Sequence, residues 1–117
     1  MKNKNSIKDP RIYEICDEVE KSLHSILDES IQEIILYGSY ARGEQEADSD
    51  LDIMVLVDDD NLSYYRKKVN DLRVELSLKY DIVLSIIIKN YAHYMKNVNV
   101  IPYYENIHRE GIELYGE

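Results

Sequence analysis

The sequence has one cysteine, no phenylalanine, no tryptophan, two prolines and four glycines in 117 residues. A single cysteine, Cys16, excludes an intramolecular disulfide. Its place on the apolar side of a predicted helix makes it a small core residue. With so little proline and glycine there is no low-complexity linker, and no internal repeat is visible, so one domain spanning residues 1–117 is expected. Long apolar runs are missing too. Runs such as Ile86-Ile87-Ile88 are far too short to cross a bilayer, and the opening MKNKNSIKDP lacks the apolar segment of a secretion signal. The expectation is a cytoplasmic protein with no membrane partner. Basic residues are the other shortage: 14 Lys and Arg against 23 Asp and Glu give a formal net charge of −9. Phosphate backbones are held by clustered Lys and Arg, so direct nucleic-acid binding is not expected. The balance suits a basic protein partner or bound divalent cations, and acidity also serves plain solubility.

What is present follows a clear rhythm. Asp9-Pro10 has the form of a helix start, with Asp as N-cap and Pro in the first turn. Ile12, Ile15, Val19, Leu23, Ile26 and Leu27 then recur at steps of three and four, which predicts an amphipathic helix to about Glu29. Ile34-Ile35-Leu36-Tyr37 is a short apolar run stopped by Gly38-Ser39, the pattern of a buried strand. Residues 50 to 57 alternate, with Leu51, Ile53, Val55 and Val57 on one face and Asp50, Asp52, Met54 and Leu56 on the other. The triple acid Asp58-Asp59-Asp60 reads as a solvated turn that caps a second long helix, from Leu62 to about Lys79. A third strand is predicted from Asp81 to Ile87, then a short helix near Tyr91–Lys96. A final helix is predicted from Pro102 through Leu114, with Gly116 as its stop. The fold class is α/β: a small mixed sheet with helices packed mainly on one face. The eleven tyrosines stand where cores usually take phenylalanine, and the pairs Tyr64-Tyr65 and Tyr103-Tyr104 read as core and rim residues rather than base-stacking platforms, given the acidic surface.

Chemistry concentrates between residues 38 and 52. Residues i and i+2 of a strand share a face with Cα atoms roughly 6.5 Å apart, so Asp50 and Asp52 can converge on one site. Two acids that close repel each other, and a cation relieves them. Mg²⁺ takes one or two carboxylates plus phosphate oxygens and water, and paired carboxylates can clamp two such ions for in-line displacement at phosphorus. Asp-x-Asp also occurs on wet sheet faces, so the spacing alone leaves a structural role open. Gly38 and Ser39 add a second element. A glycine at a strand end before a small hydroxyl residue lets backbone N–H groups approach an anion, and Ser39 can donate its hydroxyl to a phosphate oxygen. Arg42 can add charge there or simply face solvent. Gly43 suits the left-handed residue that ends such a turn. His24, His93 and His108 have no second ligand at a metal spacing.

Taken together, Gly-Ser-x-x-x-Gly, a polar spacer and Ser-Asp-x-Asp between two strands form a long pattern, GSYARGEQEADSDLDIMVLV. It resembles the nucleotidyltransferase superfamily typified by DNA polymerase β, kanamycin nucleotidyltransferase and poly(A) polymerases. It is more closely similar to the minimal nucleotidyltransferases (MNT), the antitoxin half of bacterial HEPN–MNT pairs. The resemblance covers about residues 31 to 88. The tail PYYENIHREGIELYG also resembles tails of this family, with no mechanism attached to it.

The resemblance implies ATP as substrate, Mg²⁺ as cofactor (two ions, with Mn²⁺ as a substitute), and metal-binding and catalytic roles for Asp50, Asp52 and a third carboxylate matched by Asp81. Gly38, Ser39 and Arg42 fall at its nucleotide-binding positions. It implies AMP transfer to a hydroxyl, a tyrosine by family habit, of a HEPN toxin or other neighbour-encoded protein. A homodimer is left open. Two other readings remain at this point: an antitoxin acting by contact alone, and the catalytic subunit of an antibiotic-modifying transferase.

Overall fold

Short-range chemistry sets the first helix. In the computed structural model, which describes residues 1–116, Asp9 caps α1 (Pro10–Leu27) by accepting hydrogen bonds from the Arg11 and Ile12 N–H groups. Its apolar stripe buries Ile12, Ile15, Cys16, Val19, Leu23 and Leu27. Burial pushes the Cys16 thiol up to about 12, as a core residue requires. Before α1 lie a two-residue strand, β1 (Lys2–Asn3), and a 3-10 turn. After α1 the chain passes through another 3-10 turn into β2 (Ile31–Tyr37), then a four-residue helix, α2 (Ser39–Arg42). There follow β3 (Leu51–Val57), α3 (Leu62–Tyr80), β4 (Leu84–Asn90), α4 (Tyr91–Asn97), α5 (Pro102–Glu110) and β5 (Ile112–Gly116).

The five strands form one mixed sheet in the order β1-β5-β2-β3-β4. β2 runs antiparallel to both β3 and β5, while β3 and β4 are parallel and joined across α3. Their parallel pairing, with Leu51 opposite Leu84, places the starts of β3 and β4 at the same end of the sheet.

Alternation along β3 sorts the core into two layers. Leu51, Ile53, Val55 and Val57 pack with α1 and α3, the two long helices, on one face. Met54 and Leu56 turn to the other face with Ile35, where Tyr94 of α4, Val98 just after it, and Tyr104 and Ile107 of α5 cover them. The long helices thus share one face as expected. On that second face Met54 and Leu56 are buried, while Asp52 near the start of β3 is only half-buried.

Two boundaries differ from the sequence pattern. The third strand starts at Leu84, not Asp81. Asp81 ends α3 in a left-handed conformation (φ 50°, ψ 51°), with its N–H bonded to the Ser77 carbonyl. The Ser77 hydroxyl also accepts from the Leu84 N–H at 3.1 Å, which holds the turn ahead of the strand. The predicted last helix likewise stops at Glu110, and Ile112 to Tyr115 pair with β2. Gly111 makes the break: a Cβ there would lie 2.5 Å from the Ile107 carbonyl oxygen and 2.6 Å from Ile35, so only glycine lets the chain turn so tightly.

The tyrosine-for-phenylalanine substitution leaves a mark. Tyr94 is fully buried, and its hydroxyl is the one buried side-chain polar atom without a hydrogen-bond partner among the described residues.

Candidate active site

β2 and β3 are paired so that Tyr37 sits opposite Asp52. The residue after Tyr37 therefore reaches the carboxylate of Asp52. Gly38 takes φ 79° and ψ −157°, a conformation closed to side chains, and a Cβ on it would lie 2.4 Å from Asp52 Oδ2. The missing side chain is the space in which the carboxylate rests. From Gly38 the chain turns into α2. The Gly38 carbonyl accepts from the N–H groups of Ala41 and Arg42, and Gly43 closes the turn in the left-handed region (φ 71°, ψ 23°), as the sequence suggested. The first N–H groups of such a turn have no partner within it. The Ser39 hydroxyl likewise makes no hydrogen bond among the described residues.

Asp50 is exposed just ahead of β3, and Asp52 is half-buried one pleat further on. Neither forms an ion pair with Lys or Arg among the described residues. Desolvation lifts Asp52 above its usual carboxylate range, the Asp50 charge lifts it further, and Arg42 partly offsets both. Arg42 is otherwise engaged with Glu44 at 2.9 Å and with Glu110 at 3.7 Å. It tunes the site from its edge and ties α2 to α5.

Two neighbouring carboxylates without an ion pair to Lys or Arg, one of them half withdrawn from water, are hard oxygen donors in a field that calls for a cation. The residues present fit Mg²⁺ or Mn²⁺. Asp81 does not join them. It lies in the turn before β4, and no three His, Cys, Asp or Glu side chains among the described residues are grouped to hold a metal. The position paired with Asp52 on β4 is Ser85. The run Tyr80-Asp81-Ile82-Val83 resembles a strand opening in sequence, and only the helix end at Tyr80 shows otherwise.

Sequence reasoning passed over Tyr37 and took Tyr103, with Tyr104, for a core or rim residue rather than a base-stacking platform. Their hydroxyls meet at 3.0 Å beside the site and their rings pack edge to face, centroids 6.1 Å apart. Burial, the Tyr103 hydroxyl and the Asp52 charge all raise the Tyr37 phenol. The signal available was only the unexplained tail.

Comparison with known proteins agrees with this geometry. A family model described as a nucleotidyltransferase domain matches residues 16–104. The chain is similar to a Methanocaldococcus jannaschii protein named "Putative protein adenylyltransferase MJ0141", 33% identical over 103 residues, 88% of this chain and 98% of that one. A second protein of that organism, given the same description, is 39% identical over 85 residues, 73% of this chain and 79% of the relative. Among solved structures, a toxin–antitoxin with AMP-PNP shares the fold at a TM-score of 0.57 and 24% identity, over 87% of this chain and 73% of that chain. So does a complex of a tri-AMPylated Shewanella oneidensis HEPN toxin with its MNT antitoxin, at 0.55 and 22%, over 88% and 71%. A strand-end glycine against an Asp-x-Asp carboxylate, a family model over most of the length and a relative matched nearly end to end agree: the chain belongs to the nucleotidyltransferase domain family.

Proposed function

We propose that this nucleotidyltransferase is a Mg²⁺-dependent protein adenylyltransferase that moves AMP from ATP to a hydroxyl, a tyrosine of a HEPN-type toxin, and so serves as its antitoxin. The observation that carries the reading is the contact between the Gly38 turn and Asp52. The element suited to phosphates and the element suited to a cation are one site, separated only by the missing Cβ. The names of the relatives support the adenylyl group and the protein acceptor. The HEPN–MNT complex of the same fold supports the partner.

In this reading the phosphates lie on the Gly38–Ser39 turn, which offers backbone N–H groups and the Ser39 hydroxyl. Asp50 and Asp52 would hold Mg²⁺, which would supply positive charge to offset that developing on the leaving group. The acceptor hydroxyl oxygen bonds to the α-phosphorus, the bond to the β-phosphate oxygen breaks, and pyrophosphate leaves with the electron pair. The hydroxyl proton passes to a carboxylate. Asp81 is the candidate third acid, because the turn that carries it precedes β4 at the end of the sheet where Asp50 precedes β3. Arg42 draws the Asp52 carboxylate toward its ionised form. Positioning, rather than covalent catalysis, supplies the rate.

Intact mass spectrometry tests the proposal. The neighbour-encoded protein, incubated with this chain, ATP and Mg²⁺, should gain the mass of AMP. The Asp50→Asn/Asp52→Asn double variant should still associate with it and add nothing. Asp81→Asn should fall between the two. An adduct from the double variant would place catalysis elsewhere, and no adduct from the wild type would leave contact inhibition as the mechanism.

A further inference from the structure

The tail from Pro102 to Gly116 has so far only closed the fold. It also builds one wall of a cavity of about 240 Å³, lined by Tyr37, Gly38, Arg42, Tyr103, Asn106 and Glu110 over the buried Ile107. We infer that this cavity, between the end of β2 and α5, receives the nucleoside of the substrate nucleotide, with Tyr103 and Asn106 as its binding residues.

Position comes first. The cavity shares Gly38 with the phosphate turn, and Tyr37 on its other side is the register partner of Asp52. A nucleotide whose phosphates rest on Gly38–Ser39 can therefore extend into it without crossing a strand. A second cleft, of about 290 Å³, also touches α2 through Tyr40, Ala41, Arg42 and Gly43. That cleft is floored by Ile12, Leu36 and Ile112, which belong to the layer under α1 and α3, the face away from Asp52. Strand alternation thus chooses between them.

Size and chemistry agree. Whole small-molecule sites run from roughly 300 to 1,000 Å³, so a smaller cavity next to an open phosphate turn suits part of a ligand. Tyr103 is 44% exposed, an aromatic face held ready by its hydroxyl bond and edge contact to Tyr37. A base can stack on such a ring. Asn106 Oδ1 is occupied by Arg109 Nη2 at 3.0 Å, which leaves the Asn106 amide nitrogen as a donor for a ring nitrogen or carbonyl of the base. The Glu110 carboxylate at the rim is paired with Arg42 at 3.7 Å and Arg109 at 3.4 Å, so its charge does not face the cavity unopposed.

This inference rests on the nucleotidyltransferase reading, and two probes keep their failures apart. Calorimetry with Mg²⁺ would compare ATP with inorganic tripolyphosphate, which has the phosphates but no nucleoside, on wild type, Tyr103→Ala and Asn106→Ala. Loss of a stacking partner should weaken ATP binding about tenfold. Tripolyphosphate binding should be equal in all three proteins, which also shows that the variants keep their fold. Equal ATP binding in wild type and both variants would overturn the nucleoside site and leave the nucleotidyltransferase reading standing. Equal weakening of both probes would also overturn it, since the residues would then act through the phosphate turn. A wild type that binds neither probe would remove both readings together.

Discussion

Replacing Gly38 by alanine perturbs the site through one methyl group, and the structure gives the size of the effect. Gly38 lies at φ 79° and ψ −157°, a region essentially confined to glycine, where another residue costs about 1–3 kcal/mol. For a domain of this size that lowers the melting temperature by roughly 4–12 °C. The new Cβ would also stand 2.4 Å from Asp52 Oδ2. Ordinary contact needs about 1 Å more, so the carboxylate or the turn must retreat by that amount. A misplacement of about 1 Å in a positioned site can cost about a hundredfold in rate. Gly43 is the control. It too has a positive φ, 71°, but a Cβ there meets nothing within 4 Å. Gly43→Ala should cost about 1 kcal/mol of stability and leave catalysis within a few-fold. Thermal melts and initial rates of adenylyl transfer, measured below both melting temperatures, give the comparison. Equal rates for Gly38→Ala and Gly43→Ala would refute the claim that the glycine exists to seat the carboxylate.

Two further outcomes follow from groups outside the site. Glu33 faces Glu113 from the adjoining strand, the Glu113 carboxylate folding over Gly116, the residue opposite Glu33. Desolvation first and the Glu113 carboxylate second raise Glu33 to about 8. A native value above the unfolded one, ordinarily 4.5, means the folded state holds the extra proton. Stability from this group is therefore full below about 4.5, declines as pH rises and is gone above about 8. Denaturant titrations at pH 6 and pH 9 should show a loss that Glu33→Gln largely removes; an unchanged loss would assign it to other groups. The second outcome concerns Tyr94, whose buried hydroxyl lacks a partner. Tyr94→Phe should stabilise the fold by about 1 kcal/mol, since it removes an unmet desolvation cost and no contact. A clear fall in melting temperature would mean that the hydroxyl is satisfied in solution.

Much of this was written in local pattern. The Asp9 cap, the α1 stripe, the alternation of β3, and Gly43 at the end of a turn each depend on neighbours within a few residues, and each stands where its pattern put it. The turn at Gly38-Ser39 and the place of Asp50 and Asp52 at the start of a strand were legible for the same reason, since both short motifs carry their local geometry with them. Asp81 was not. Whether it opens a strand or ends a helix depends on how far α3 runs, and α3 runs to Tyr80 because its buried residues, Val69, Leu72 and Leu76, meet the sheet. The strand at Ile112–Gly116 was hidden likewise, because nothing nearby announces that β2 has a free edge.

By itself, then, the sequence determined the elements with strong periodicity and the places of the Gly38-Ser39 turn and the Asp50-x-Asp52 pair. Tertiary structure alone decided that Gly38 and Asp52 touch, since that needs the β2–β3 register. It also decided that α5 turns Tyr103 toward Tyr37, and that Asp81 ends α3 rather than opening β4. The division follows from range. A cap or an amphipathic stripe is fixed by side chains three or four residues apart, whereas a register, a helix end under a sheet or a cavity wall depends on which distant surfaces bury each other.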